Sequence, residues 1–286
     1  MATAEQYNGD GRTRMTIYSD RSLSQKLERA EARANADFVE SRVRLDPDCG
    51  ATWIEVAGVY AMFDDIESPL TQTFGLGVFD EITDAEMERL ESFFKRFDAP
   101  ILHEVSPMAD PSLMSLLNER GYQPIELTSV LYRGLEHEDS RETRTNAQIT
   151  TRIIRPDEVD LWARVSANGW ATEHESLADF MLNFGRVSAQ STGAYPYLAE
   201  LDGKAISTGM LFIYDDVAIL AGASTIPEGR NNGAQNAVLK ARLKFAAERG
   251  CTLAAMGAAP GSQSQKNAQK NGFDIAYTRT KWRLIE

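Results

Sequence analysis

The chain is poor in the residues from which metal and redox sites are usually built, with two cysteines and three histidines in 286 residues. Cys49 and Cys251 stand far apart, with no CxxC pattern and no histidine cluster beside either, so neither a zinc site nor a disulfide framework is indicated. Both are read as reduced, and no metal is expected. Positive charge is also scarce. Thirty Lys and Arg against 42 Asp and Glu give a formal net charge of −12. That balance argues against broad contact with nucleic acid or anionic membranes, because both need a basic surface. Long apolar runs are missing too: no window approaches about 18 uninterrupted apolar residues, and Met1 to Asp10 lack the apolar core of a signal peptide. The expectation is a soluble, cytoplasmic protein with no membrane partner. HExxH, GxSxG and Walker sequences are absent as well, which removes support for metalloprotease, α/β-hydrolase and P-loop readings.

What is present is the composition of a folded protein, 43% hydrophobic and 25% charged, and at roughly 150 residues per domain the length implies two domains. Residues 1–21 are polar. Ser22 to Gln25 reads as a capping box opening a helix whose face carries Leu23, Leu27, Ala30, Ala34 and Phe38. Residues 51–63 and 72–79 are rich in β-formers, and 83–97 has helical spacing through Met87, Leu90, Phe93, Phe94 and Phe97. A strand at 101–105, a helix at 111–120 and a strand at 125–133 follow. Residues 136–147 then lose all apolar periodicity and form the best boundary in the chain. Beyond it come a strand at 149–154, helices at 156–168 and 173–188, and two strands flanking Asp202-Gly203, a strong hairpin signal. A strand at 217–226, a helix to about Arg249, a strand at 252–256, a polar helix and final strands at 273–284 complete the order. Strands joined partly by hairpins and partly by helices imply an α/β (α+β) fold with a mixed sheet.

The two halves end alike. Met114 to Tyr122 followed by residues 125–133 echoes Ser264 to Phe273 followed by residues 275–283: a helix, a Gly-aromatic pair (Gly121-Tyr122, Gly272-Phe273) and a strand. Two tandem copies of one fold explain this, at residues 22–135 and 148–286.

The chemistry concentrates in Arg230-Asn231-Asn232-Gly233-Ala234-Gln235, which follows an apolar strand and Pro227 and precedes a helix. A helix start leaves about four N–H groups without intrahelical partners, with partial positive charge. Glycine lets a phosphate approach the backbone, and asparagine tolerates the dihedrals of an anion-binding turn. The competing reading is an ordinary strand–helix connection. Pro227 ends the pairing of its strand, leaving an edge around Ala223 to Thr225 that an amide-bearing ligand can pair with.

This stretch resembles the Q/R-x-x-G-x-G/A coenzyme A signature of the GNAT superfamily of N-acyltransferases, departing from it only at Gln235, and Gly272-Phe273 with its final strands resembles that family's ending. The resemblance covers about residues 149–286; by the repeat, the first half is a degenerate GNAT-like copy. It implies two tandem GNAT-like domains, each a twisted, mixed, mostly antiparallel sheet flanked by helices. It implies acetyl-CoA, or another acyl-CoA, as co-substrate. Arg230 and Asn231 to Asn236 would bind the pyrophosphate, Ala223, Ser224 and Thr225 would pair with the pantetheine amides, and Asn267 would touch the coenzyme from the late helix, as would Ser264. Polar solvated surface is the other account of Asn267 and Ser264. The implied reaction is acyl transfer to a primary amine of a small molecule or peptide, by a monomer or homodimer. Where the family often carries a tyrosine, four residues before the Gly-aromatic pair, this chain has Ala268. The alternative is therefore a non-catalytic coenzyme-binding or interaction module that has lost its general acid. Glu173, His174 and Glu175 are candidates for proton transfer, although helix N-terminal charge is the favoured reading of them. Lys240, Arg242 and Lys244 read as surface charge, with contact to an adenosine phosphate as the other account, and Trp162, Trp170 and Trp282 as core rather than cofactor stacking. His103 and His137 have no evident partner. In the first half Asp80 to Asp84 open a helix with acidic residues that would repel phosphate; Gly75-Leu76-Gly77 there reads as a close-packed or bulged strand.

Overall fold

The computed structural model describes residues 6–7, 13–14, 17–135, 146–170 and 178–285. Two short strands, β1 (Gln6–Tyr7) and β2 (Thr13–Arg14), pair with each other. Helix α1 (Arg21–Leu45) follows. Its buried residues include Leu23, Leu27, Ala30, Ala34 and Phe38, the face expected from the spacing. The cap differs: Asp20, rather than Ser22, accepts the Leu23 amide at 2.9 Å, because an extended aspartate carboxylate reaches that orphan donor.

The stretch 51–63 is a hairpin, β3 (Thr52–Val56) and β4 (Val59–Phe63), turned by Ala57 and Gly58 at φ 49° and 75°. Strand β5 is confined to Gln72–Phe74. The expected run to residue 79 fails because Gly75 and Gly77, two residues apart, adopt φ 78° and 69° and turn the backbone out of the ladder. Close packing does account for Gly75, where a Cβ would lie 2.6 Å from the Phe79 ring. Then come α2 (Asp84–Lys95), β6 (Leu102–Val105), α3 (Ser112–Glu119) and β7 (Tyr122–Gly134). The second half runs β8 (Ile149–Ile153), α4 (Val159–Trp170), α5 (Ala178–Ser188), β9 (Ala194–Leu201), β10 (Lys204–Tyr214), β11 (Val217–Thr225), α6 (Ala234–Glu248), β12 (Leu253–Ala258), α7 (Gln263–Lys270) and β13 (Asp274–Leu284). Asp202 and Gly203 make the expected hairpin turn, with φ 51° and 78°.

Strands β3 to β13 form one 11-stranded sheet in the order β3-β4-β5-β6-β13-β7-β12-β11-β10-β9-β8. Only β5/β6 and β11/β12 pair parallel; the other pairs are antiparallel. The repeat is visible in this order, but the last strands are exchanged: β13 pairs with β6 of the first half, and β7 with β12 of the second. Helix α1 lies across the junction. Its Leu23, Leu27 and Ala30 pack on Val217, Ile219 and Leu253 of the second half, and its Ala32, Ala36 and Val39 on Tyr60, Met62 and Phe74 of the first. Burying each large side chain contributes about 1.5–3 kcal/mol, so one helix fastens both halves. Among the described residues no helix is long and apolar enough to cross a membrane.

Candidate coenzyme site

The parallel pair β11/β12 opens partway along. Its register ends at Ile219 opposite Ala255, while β11 continues to Thr225 and β12 to Ala258. Beyond the fork the backbone groups of β11 divide between its two edges. The Ser224 carbonyl accepts from Ser207 Oγ of β10 at 2.7 Å, and the Ile226 amide donates to the Ile206 carbonyl at 3.0 Å. Strand alternation then turns the groups of Ala223 and Thr225 to the opposite edge, where the β12 pairing has stopped. Ser224 itself is spent on the protein, its hydroxyl bonding Thr208 Oγ1 and the Ser166 carbonyl. Helix α4 packs tightly there: a Cβ on Gly169 would lie 2.6 Å from the Ser224 side chain.

A bulge marks the same place. Thr208 pairs with Ser224 and Met210 with Ala221, so β11 carries an extra residue beside Gly222, whose φ is 57°. Behind the bulge lies Arg242 of α6. It is not a surface charge: it is 3% exposed. Its Nη1 donates to the Met210 carbonyl at 2.7 Å and the Ala221 carbonyl at 3.2 Å. Burial lowers its pKa to about 10, and it stays cationic at neutral pH. Gly209 makes the room, since a Cβ there would come within 2.8 Å of the guanidinium carbon. The i to i+4 spacing from Val238 to Arg242 was the sequence signal for its burial.

Downstream, residues 230–233 form the expected loop. Asn231 adopts φ 62° and Gly233 φ 83°, and Asn232 Nδ2 donates to the Gly229 and Arg230 carbonyls. Gly233 is the N-cap of α6 and provides no side-chain cap, and the first turn holds no acidic residue. A Cβ on Gly233 would meet nothing within 4 Å, so the approach to the first amides is open. Arg230, Asn231 and Gln235 are exposed and Asn236 half-buried around it, while Ala234 is buried in the core. On α7, Ser264 is exposed and Asn267 accepts from Gln263 Nε2 at 2.8 Å. Ala268 is 1% exposed in the core. Glu173, His174 and Glu175 lie outside the described residues, as does His137.

The first half has no such arrangement. At the parallel β5/β6 pair, His103 is fully buried with Thr73 Oγ1 at 2.8 Å and Tyr122 Oη at 3.0 Å, so it has two partners. Burial lowers its pKa to about 3, leaving a neutral ring that fills the space. The start of α2 is closed by a capping box between Thr83 and Glu86, with Asp84 beside it.

A cavity of about 240 Å³ opens on the bulge at Ala221 and Gly222, between α1, α4, α5 and β10. Trp162 and Trp170 line it; Trp162 and Trp282 are in the core as expected, whereas Trp170, also expected there, is half-buried at the end of α4 beside this space. Asn35, Phe38, Phe184 and Met210, distant in sequence, join them in the wall; only their convergence in space marks them.

Solved structures share this architecture. A GCN5-related N-acetyltransferase from Kribbella flavida is 17% identical, with a TM-score of 0.61 over 89% of this chain and 95% of that one. A tandem GNAT protein from the clavulanic acid biosynthesis pathway, solved without AcCoA, is 14% identical, with a TM-score of 0.60 over 94% and 98%. The chain has the tandem GNAT fold. A further structure with this fold, a GCN5-related N-acetyltransferase from Sphaerobacter thermophilus, is 15% identical, with a TM-score of 0.52 over 89% and 92%. No protein-family model and no curated protein matches the chain. Within the tandem GNAT fold, the forked pair and the open helix start stand together only in the second half among the described residues.

Proposed function

We propose that the protein is an acyl-CoA-dependent N-acyltransferase with one donor site, in the second half. The observation that carries this reading is the juxtaposition of the β11/β12 fork with the uncapped, acid-free start of α6. The amides of Ala234, Gln235 and Asn236 with Arg230 would hold the pyrophosphate. The free backbone edge at Ala223 and Thr225 would pair with the pantetheine amides, placing the thioester beside the bulge. The domains at 22–135 and 148–286 then divide the work, the first supplying α1 and the wall it presents, the second the donor site.

In the reaction the neutral amine nitrogen forms a bond to the thioester carbonyl carbon, the carbon–sulfur bond breaks, and the proton lost by nitrogen ends on the departing thiolate. The peptide between Ala221 and Gly222 has its carbonyl on Arg242; in a trans peptide the Gly222 N–H points the opposite way. In this reading the Gly222 N–H would be the donor to the charge that develops on the carbonyl oxygen.

A second reading, a coenzyme-binding module without turnover, is favoured by one observation: Ala268, where the family often has its proton donor, is buried and apolar. Release of free thiol from acetyl-CoA across an amine panel decides. Acceptor-dependent release supports the enzyme; tight acetyl-CoA binding with no release for any amine establishes the module.

A further inference from the structure

The cavity beside the bulge has properties that specify a guest. We propose that it is the acceptor site, and that the acceptor is an apolar, ring-bearing amine carrying one hydrogen-bond acceptor atom, in preference to a polyamine or an aminosugar. This rests on the acyltransferase reading, since it places the nucleophile next to the donor's thioester.

The walls decide the body of the guest. Phe38 from α1, Trp162 and Trp170 from α4, Met181 and Phe184 from α5, and Met210 from β10 enclose the space. Phe38 and Phe184 are already stacked, with ring centroids 4.5 Å apart. Among the described residues no charged side chain lines the cavity, so a polycation entering it would leave water without gaining a counter-charge from these walls. Its volume is about 240 Å³, against about 150 Å³ for an apolar protein cavity that takes benzene, which leaves room for a substituted ring.

The polar groups decide the rest. Trp170 Nε1 is a buried donor with no hydrogen-bond partner. Buried donors are rarely left so, and the ring that carries this one lines the cavity, where a turn of the indole toward the guest would let an ether, carbonyl or hydroxyl oxygen accept from it. The cavity also reaches Ala221 and Gly222, at the fork where the thioester would lie. A guest with its acceptor oxygen at Trp170 would present its amine to the bulge. Asn35 and Phe38 come from the first half and Trp170 from the second, so the site needs both.

Calorimetry on the full chain, with coenzyme A saturating, tests this with 4-methoxyphenethylamine, phenethylamine and spermidine. The methoxy compound should bind most tightly and spermidine least. Trp170→Phe, which keeps a ring and removes the N–H, should weaken the methoxy compound about tenfold and leave phenethylamine unchanged, a difference that general loss of structure would not produce. Ser188→Leu, which fills the cavity from α5, should abolish binding of both ring amines. Tighter binding of spermidine, or equal effects of Trp170→Phe on the two ring amines, overturns the proposal. So does phenylacetyl-CoA binding more tightly than acetyl-CoA with no ring amine bound, which would give the cavity to the acyl group. Failure of the donor reading is separate: ring amines would bind as described while acetyl-CoA did not.

Discussion

At the residue scale the most informative group outside the site is Glu28. It is 1% exposed on α1, accepts from Tyr277 Oη at 2.8 Å and lies 3.5 Å from Arg279, which also donates to Glu31 at 2.6 Å and forms an ion pair with Glu104 at 3.1 Å. These contacts tie α1 to β13. Burial pushes the Glu28 carboxyl up to about 7, against the partial opposition of Arg279. The folded state thus holds a proton that the unfolded chain releases near 4.5. The stability linked to it is complete below about pH 4.5 and lost as pH rises through about 7. Urea unfolding of wild type and Glu28→Gln at pH 4.5, 6 and 7.5 should show the wild type losing ground to the variant by on the order of 3 kcal/mol across that range; parallel curves would refute the assignment. Arg242 makes a second prediction. Replacing it with Met leaves the buried Met210 carbonyl and the part-buried Ala221 carbonyl without its hydrogen bonds, and should cost about 3 kcal/mol of unfolding free energy, whereas Lys244→Met, on the exposed face of the same helix, should change it by less than about 0.5 kcal/mol.

At the element scale the contrast between two helix starts carries the account. The start of α2 is filled by its own capping box, and that of α6 is left open by Gly233. Gln235→Glu should therefore leave the thermal midpoint unchanged or slightly raised, because an acid in a first turn contributes about 0.3–1 kcal/mol; a lowered midpoint would mean that this end is not open. The loop was legible in the sequence because its chemistry is contiguous: glycine, asparagines and an arginine between a strand and a helix. The N-cap of α1 was misplaced by two residues because Asp20 and Ser22 both carry side-chain oxygens suited to capping, and only backbone geometry chooses between them. The cavity was not legible at all. Phe38 and Trp162 carry the same helical spacing whether they meet other side chains or a space.

At the scale of the whole molecule the exchanged strands make the halves interdependent. β13 separates β6 from β7, and β7 separates β13 from β12. The repeat of helix, Gly-aromatic pair and strand announced two copies, but local periodicity does not say which strand pairs with which, so the exchange emerged only from the sheet order. A chain cut between Leu135 and Asn146 should consequently migrate as one particle in gel filtration when both pieces are co-expressed, and neither piece should be soluble alone; two independently folded halves would contradict the exchange. The central claim is that two copies of the fold share one donor site, at the start of α6. Calorimetric titration of the full chain with acetyl-CoA tests it most directly. The account predicts one molecule bound per chain, with affinity at least tenfold weaker in Gln235→Glu at an unchanged or slightly raised thermal midpoint. Two molecules per chain, or an affinity that Gln235→Glu does not alter, would contradict it.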